Sequence, residues 1–323
     1  MRRTQQVNDL KKLKKHSYIV GDTSNQNAIT RFKLNESTTN PTIILERSKI
    51  INDITIKKKL MQEVQKKPDK AADIFNVLIG ASIAKTITGR ISTEINPKHS
   101  FDIDKSIASA NEIIKMYAEA GIPKEKVYIK IAGTWEGILA AEQLEKQGIK
   151  CNVTLIFNLC QAKACAERNI SLISPFVGRI LDWHKKYNAE NLDKMKIDPG
   201  VQSVTTIYNQ LKSQGYKTEV MAASFRNKNQ ILQLAGCDKM TINEKLLEEL
   251  ESSDSDIEVK LQKPETTIEP TSIIDESEFR WQMKQDKMAF EKLNEGIEKF
   301  TNDYSKVKDA VIDLITNKEK NNG

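Results

Sequence analysis

Lys130 stands in an otherwise apolar run, Val-Tyr-Ile-Lys130-Ile-Ala. Read as a β-strand, this run places Tyr128, Lys130 and Ala132 on one face and Val127, Ile129 and Ile131 on the other, because successive side chains alternate. The wholly apolar face suits a covering layer of helices, so Lys130 is expected to point inward. A buried ammonium is costly unless it is paired or neutralised. A lysine amine in such a place is a nucleophile that can form a Schiff base with a carbonyl. On this strand alone, a lysine reaching along its stem to solvent is the commoner arrangement.

The neighbouring runs shift that balance. Glu94 lies in Gly89-Arg-Ile-Ser-Thr-Glu-Ile, where a lone carboxylate is expensive. Asn152 and Thr154 are two apart in Cys-Asn-Val-Thr-Leu-Ile-Phe and share a face opposite Val153 and Leu155. Asp22 ends the first strand, Asn40 the second, and Ser174 sits inside the sixth. Any one of these reads as a structural hydrogen-bonder. Their recurrence on six strands is the pattern of a barrel with a catalytic mouth.

The elements that would position them alternate along the chain. Strands are expected at Tyr18–Thr23, Ser37–Asn40, Ile91–Ile95, Val127–Ala132, Asn152–Phe157, Leu172–Val177, Glu219–Ser224 and Lys239–Ile242. Between them lie helical patterns such as Ile103–Ala120, Thr134–Gln147, Gln161–Arg168, Val201–Gln214 and Lys228–Leu234. Eight strands, mostly each followed by a helix, imply an α/β chain of the (β/α)8 TIM-type barrel class with extra helices. An open doubly wound sheet is the weaker alternative, since no G-x-G-x-x-G follows the first strand. Residues 244–258 hold seven acids against one lysine and read as a helix end and a solvated loop. Further on, Phe290, Leu293, Ile297, Phe300, Tyr304, Val307, Val311 and Leu314 recur at spacings of three and four, an amphipathic C-terminal helix. Such a stripe serves a helix folded back on its own domain, the commoner case, or a coiled coil in a homodimer. The expected organisation is a basic extension over residues 1–15 and one barrel domain over 16–323, with a helical segment at 275–318.

Composition narrows the function classes. The 323 residues carry a net charge of +6, and the first fifteen alone carry +5. A nucleic-acid-binding domain would spread a basic face over its folded body, so neither nucleic acid nor a membrane is expected as a partner. The basic tail lacks an apolar h-region, so it is not a secretory signal, and it is expected to be dispensable for turnover. Cys151, Cys160, Cys165 and Cys237 match no zinc or redox spacing, and with three histidines a His/Cys metal site is not expected. Buried small cysteines in a reducing, cytoplasmic setting account for them. Two short strings are set aside. Gly80-Ala-Ser-Ile-Ala-Lys85-Thr86 lacks the second glycine of a phosphate loop, and Ser82-Ile-Ala-Lys85 has none of the companion motifs of the S-x-x-K enzymes.

These residues also carry a resemblance. The strings are Glu36-Ser-Thr-Thr-Asn-Pro-Thr, Gly89-Arg-Ile-Ser-Thr-Glu-Ile, Lys130-Ile-Ala-Gly-Thr-Trp-Glu-Gly, Cys151-Asn-Val-Thr-Leu-Ile-Phe-Asn-Leu-Cys-Gln-Ala, Ile173-Ser-Pro-Phe-Val-Gly-Arg-Ile-Leu-Asp-Trp and Met221-Ala-Ala-Ser-Phe-Arg-Asn. In this order the chain resembles a transaldolase of the long-chain type, an enzyme of the pentose phosphate pathway, across about residues 18–243. The resemblance implies transfer of a dihydroxyacetone unit from fructose 6-phosphate or sedoheptulose 7-phosphate to erythrose 4-phosphate or glyceraldehyde 3-phosphate. It implies Lys130 as the Schiff-base lysine, Glu94 and Thr154 as holders of a proton-transfer water, and Asp22 as the acid/base at the C4 hydroxyl. Asn40, Asn152 and Ser174 match groups that bind the dihydroxyacetone hydroxyls, Phe176 lines the substrate, and Arg179, Ser224 and Arg226 match the phosphate site. An iminium is itself the electron sink, so no metal or organic cofactor is implied. Three positions depart from the family's common residues: Gly133 and Asn158, where serine is usual, and Glu36, where aspartate is usual. A simple aldolase without an acceptor and an inactive, RNA-associated scaffold are the competing classes, and the scaffold would require the Lys130, Glu94 and Asp22 set to be broken.

Overall fold

The computed structural model describes residues 8–192, 195–269 and 273–321. The strands are β1 Tyr18–Asp22, β2 Ser37–Thr38, β3 Ile91–Glu94, β4 Val127–Ala132, β5 Cys151–Ile156, β6 Leu172–Pro175, β7 Glu219–Ala222 and β8 Lys239–Ile242. They follow one another as a closed parallel barrel with helices around it, the (β/α)8 architecture expected from the alternation. Strand ends fall within two residues of expectation. β7 stops at Ala222 because Ser224 turns to φ +61°, which an extended strand cannot continue.

The chain divides into two compact units, Met1–Asp22 with Val153–Leu293, and Thr23–Asn152 with Asn294–Gly323. In the first unit β1 pairs with β8 (Tyr18 opposite Lys239), β7 with β8, and β6 with β7, and an isolated bridge joins Phe176 to Ala223. In the second, β2 pairs with β3 and β3 with β4, in a register that sets Glu94 opposite Lys130. Every residue of β4 and β5 is buried, as parallel strands covered on both faces must be.

Several barrel helices start on a short polar residue just past a strand. Asn40, Thr134, Asn158, Asn227 and Asn243 each accept a backbone N–H of the first helical turn, and Asp198 accepts two. Helices at Pro41–Ile50, Ile54–Lys66 and Ala71–Ala84 fill the long β2–β3 connection. The last of these is buried all round and therefore lacks the amphipathic period by which a helix is read. The C-terminal helix runs from Lys287 to Asn321 after a shorter one at Glu276–Gln285. Its stripe buries Leu293, Ile297, Phe300, Val307 and Val311, while Phe290 stays exposed.

Within the basic extension, Asp9–Leu13 is a helix capped by Asn8, with Asp9, Leu10 and Leu13 buried. A stretch this short shows no apolar period, so its docking was invisible in sequence. Among the described residues no helix is long and apolar enough to cross a membrane.

Candidate active site

In the unit built on β2, β3 and β4, Lys130 and Glu94 are both buried and Lys130 Nζ lies 3.3 Å from Glu94 Oε2. The same ammonium donates to the Thr39 carbonyl at 3.2 Å and lies 5.9 Å from the centre of the Phe300 ring. Thus the interior face inferred for Lys130 is realised, and the desolvated charge is met by one carboxylate, one carbonyl and one aromatic face. Glu94 is held from behind, since Asn76 Nδ2 donates to its backbone carbonyl at 3.2 Å. Asn152, fully buried, donates to Ser92 Oγ at 3.2 Å. Asn40 spends its side-chain oxygen on the Ile43 N–H at 3.1 Å as a helix cap, which leaves its amide nitrogen as the donating end.

Sequence reading missed Thr39, Ser92 and Phe300 as neighbours of this group. Thr39 acts through its backbone carbonyl, which no side-chain pattern reports. Phe300 was legible as part of an apolar stripe, and only packing brings it to the lysine. The helix carrying it is tied at the next turn, where Thr42 Oγ1 donates to Asp303 at 2.5 Å and Tyr304 donates to Asp73 at 2.7 Å. Burial pushes the Asp73 carboxyl up, against the Tyr304 hydrogen bond and Lys70.

Among the departures, Glu36 is buried against Gly89. A Cβ on Gly89 would lie 2.5 Å from Glu36 Cγ and 2.7 Å from the Asn35 carbonyl oxygen, so a glycine is required here.

The other unit carries the remaining site residues. Asp22 is half-buried at the C-terminal end of β1. Ser174 is buried in β6. Thr154 is fully buried in β5, and its hydroxyl has no hydrogen-bond partner among the described residues. Phe176 meets Phe157 edge-to-face at 5.5 Å, and the Arg179 guanidinium lies 4.9 Å from its ring centre.

Ser224 and Arg226 fold over Gly178. The Gly178 N–H donates to the Ser224 carbonyl at 2.9 Å, and a Cβ on Gly178 would lie 2.3 Å from that oxygen. Gly178 opens the helix Gly178–Tyr187, whose Val177 cap position offers no side-chain bond, and a helix start of this kind attracts anions. Arg226 donates to Ser224 Oγ at 3.3 Å and forks onto Asp182, with its closest contact at 2.7 Å. Asp182 was not singled out from sequence. It holds the guanidinium in a fixed pose at an exposed position. The Arg226 N–H is itself fixed by Gln230 Oε1 at 2.8 Å. Asn158, another departure, caps its helix and donates to Asp286 at 3.2 Å, a structural tie to the chain just before the C-terminal helix.

The chain is similar to known proteins over most of its length. The profile of the Transaldolase/Fructose-6-phosphate aldolase family matches residues 19–311. A transaldolase of Shewanella oneidensis MR-1 is 47% identical over 308 residues, covering 93% of this chain and 96% of that protein. A transaldolase of Shewanella baltica OS185 is 47% identical over 318 residues, covering 96% of this chain and all of that protein. With the barrel, the buried lysine–glutamate pair and matches that span nearly its whole length, this chain is a member of the transaldolase/fructose-6-phosphate aldolase family of enzymes.

Proposed function

We propose that this enzyme transfers a dihydroxyacetone unit from a ketose phosphate, sedoheptulose 7-phosphate or fructose 6-phosphate, to an aldose phosphate, glyceraldehyde 3-phosphate or erythrose 4-phosphate, through a Schiff base on Lys130. The observation that carries this reading is the buried Lys130 amine 3.3 Å from the buried Glu94 carboxylate. Such a pair on covered strands serves no surface purpose, and it suits an amine that must lose and regain protons during imine chemistry.

The Lys130 nitrogen adds to the C2 carbonyl, and loss of water leaves a protonated imine. Glu94, with Thr154 as the other anchor of a water molecule, exchanges the protons of this step. Asp22 takes the proton of the C4 hydroxyl, the C3–C4 electron pair becomes the C2=C3 bond as the iminium π pair moves onto nitrogen, and C4 leaves as the aldehyde half. What remains on Lys130 is an enamine. Attack by that enamine on the acceptor aldehyde forms the new bond, Asp22 returns its proton to the new hydroxyl, and water releases the product. Asn40, Asn152 and Ser174 hydrogen-bond the hydroxyls of the three-carbon unit. Arg179, Ser224 and Arg226, with the start of the Gly178–Tyr187 helix, take the phosphate, since guanidinium forks suit a dianion. Phe176 adds an apolar wall with no proton to give, so the enamine waits for an acceptor.

The test is borohydride reduction in the presence of fructose 6-phosphate, read by intact and peptide mass. One reduced three-carbon adduct is expected on Lys130 and none in Lys130→Ala. An adduct that persists in Lys130→Ala would sink the assignment. Transfer is separated from simple aldol cleavage by glyceraldehyde 3-phosphate formation with and without erythrose 4-phosphate. Equal steady-state rates in the two assays would favour the aldolase.

A further inference from the structure

Leu155 takes φ +57° one residue before the end of β5. Side chains with a Cβ rarely adopt this conformation, and such strain persists only where the surroundings impose it. One fully buried side chain spans this point. Gln161 Oε1 accepts the Phe157 N–H at 2.9 Å while its Nε2 donates to the Leu155 carbonyl at 3.0 Å. The two bonds bridge the backbone on both sides of Ile156. Gln161 is in turn fixed by its own N–H, which donates to Asn158 Oδ1 at 3.0 Å in the helix cap. The residue before the kink is Thr154, whose buried hydroxyl has no partner among the described residues. A strained backbone and an unsatisfied buried hydroxyl on adjacent residues are two separate costs at one point. A fold tolerates them together where the hydroxyl's direction matters more than local stability.

We propose that Gln161 is a positioning residue for catalysis: it holds β5 in the Leu155 kink and thereby aims the Thr154 hydroxyl. This rests on the water-holding role given to Thr154 above. The chemistry at 161 is narrow. The gap needs one acceptor and one donor on the same planar end, which an amide supplies. An ionised glutamate offers only acceptors and sets a carboxylate oxygen against the Leu155 carbonyl. A protonated glutamate again offers one of each.

The experiment is a cycle of Gln161→Glu, Thr154→Val and the double variant, assayed for transfer from fructose 6-phosphate to erythrose 4-phosphate across acidic to alkaline pH. Gln161→Glu is expected to approach wild-type turnover on the acid side. It should lose about five- to a hundredfold in kcat as its carboxyl ionises, the range of one broken buried hydrogen bond, with little change in KM. In the Thr154→Val background the same substitution should change kcat by far less. Equal factors in both backgrounds, or a pH profile unchanged from wild type, would overturn the proposal. Full activity of Thr154→Val would instead reject the role of Thr154, and the proposal with it, leaving Lys130 untouched. Should Gln161→Glu fail to fold, Gln161→Asn, which keeps the amide but is too short to bridge the kink, takes its place in the cycle with the same criterion of unequal factors.

Discussion

Lys228 Nζ lies 3.0 Å from Oδ2 of Asp9, which joins the N-terminal helix to the start of the helix that follows Arg226. Asp9 is fully buried, and it also accepts hydrogen bonds from the Ser253 hydroxyl at 2.6 Å and from the backbone and hydroxyl of Ser255. Burial alone would raise its carboxyl. The bonds from Ser253, Ser255 and Lys228 outweigh that and hold it at about 2. Within the basic extension, the Asp9–Leu13 helix is therefore tied to the folded body through its one acid.

Removing this anchor should cost stability. Asp9→Asn is expected to lower unfolding free energy by about 1–3 kcal/mol at neutral pH, and deletion of residues 1–14 by more. The sign of the pH effect follows from the direction of the shift. A carboxyl held below its unfolded value stabilises fully above about pH 4, and that contribution disappears as pH falls toward the folded value of about 2. Calorimetry should thus show a Tm gap between wild type and Asp9→Asn at pH 7 that closes under acid. Equal Tm values at pH 7 would mean that the serines and Lys228 find water as readily as they find Asp9.

Thr154→Val should separate stability from activity. The substitution keeps the side-chain shape and removes a hydroxyl that has no partner among the described residues, so Tm should hold or rise. Transfer should nevertheless fall by about a hundredfold, the scale of a lost general acid–base contribution. The paired measurement is a thermal melt and a steady-state assay on one preparation. A parallel loss of Tm and turnover would assign Thr154 to packing alone.

Arg179 and Arg226 should discriminate by phosphate. Replacing either with alanine is expected to cost about 1.5–3 kcal/mol in apparent affinity for fructose 6-phosphate, roughly ten- to a hundredfold. Unphosphorylated fructose should be affected little. Equal losses on both sugars would place these arginines in the architecture of the Gly178 turn instead.

Much of the barrel could be read one strand at a time. β4 and β5 are apolar runs of six broken by single polar residues, and each run is short enough for alternation to say which residues share a face. The helix caps at Asn40, Thr134, Asn158, Asn227 and Asn243 are likewise local, because a cap bonds a backbone N–H within its own first turn. The helix at Ala71–Ala84 was not legible in the same way, since full burial erases the period.

The sequence by itself determined the strand count, the order of elements, the inward face of Lys130 and the family, because these depend on residue type and near spacing. Only the tertiary structure decided who meets whom at long range. It brought Phe300 to Lys130, 170 positions apart, and Lys228 to Asp9, and it turned Arg226 onto Asp182. It also decided that Leu155 would leave the extended region, with Gln161 bracing the kink. The physical reason is common to all four. Alternation and capping act over one strand or one turn, whereas the partner of a buried charge, a ring face or a strained carbonyl is chosen by which surfaces the closed barrel presses together.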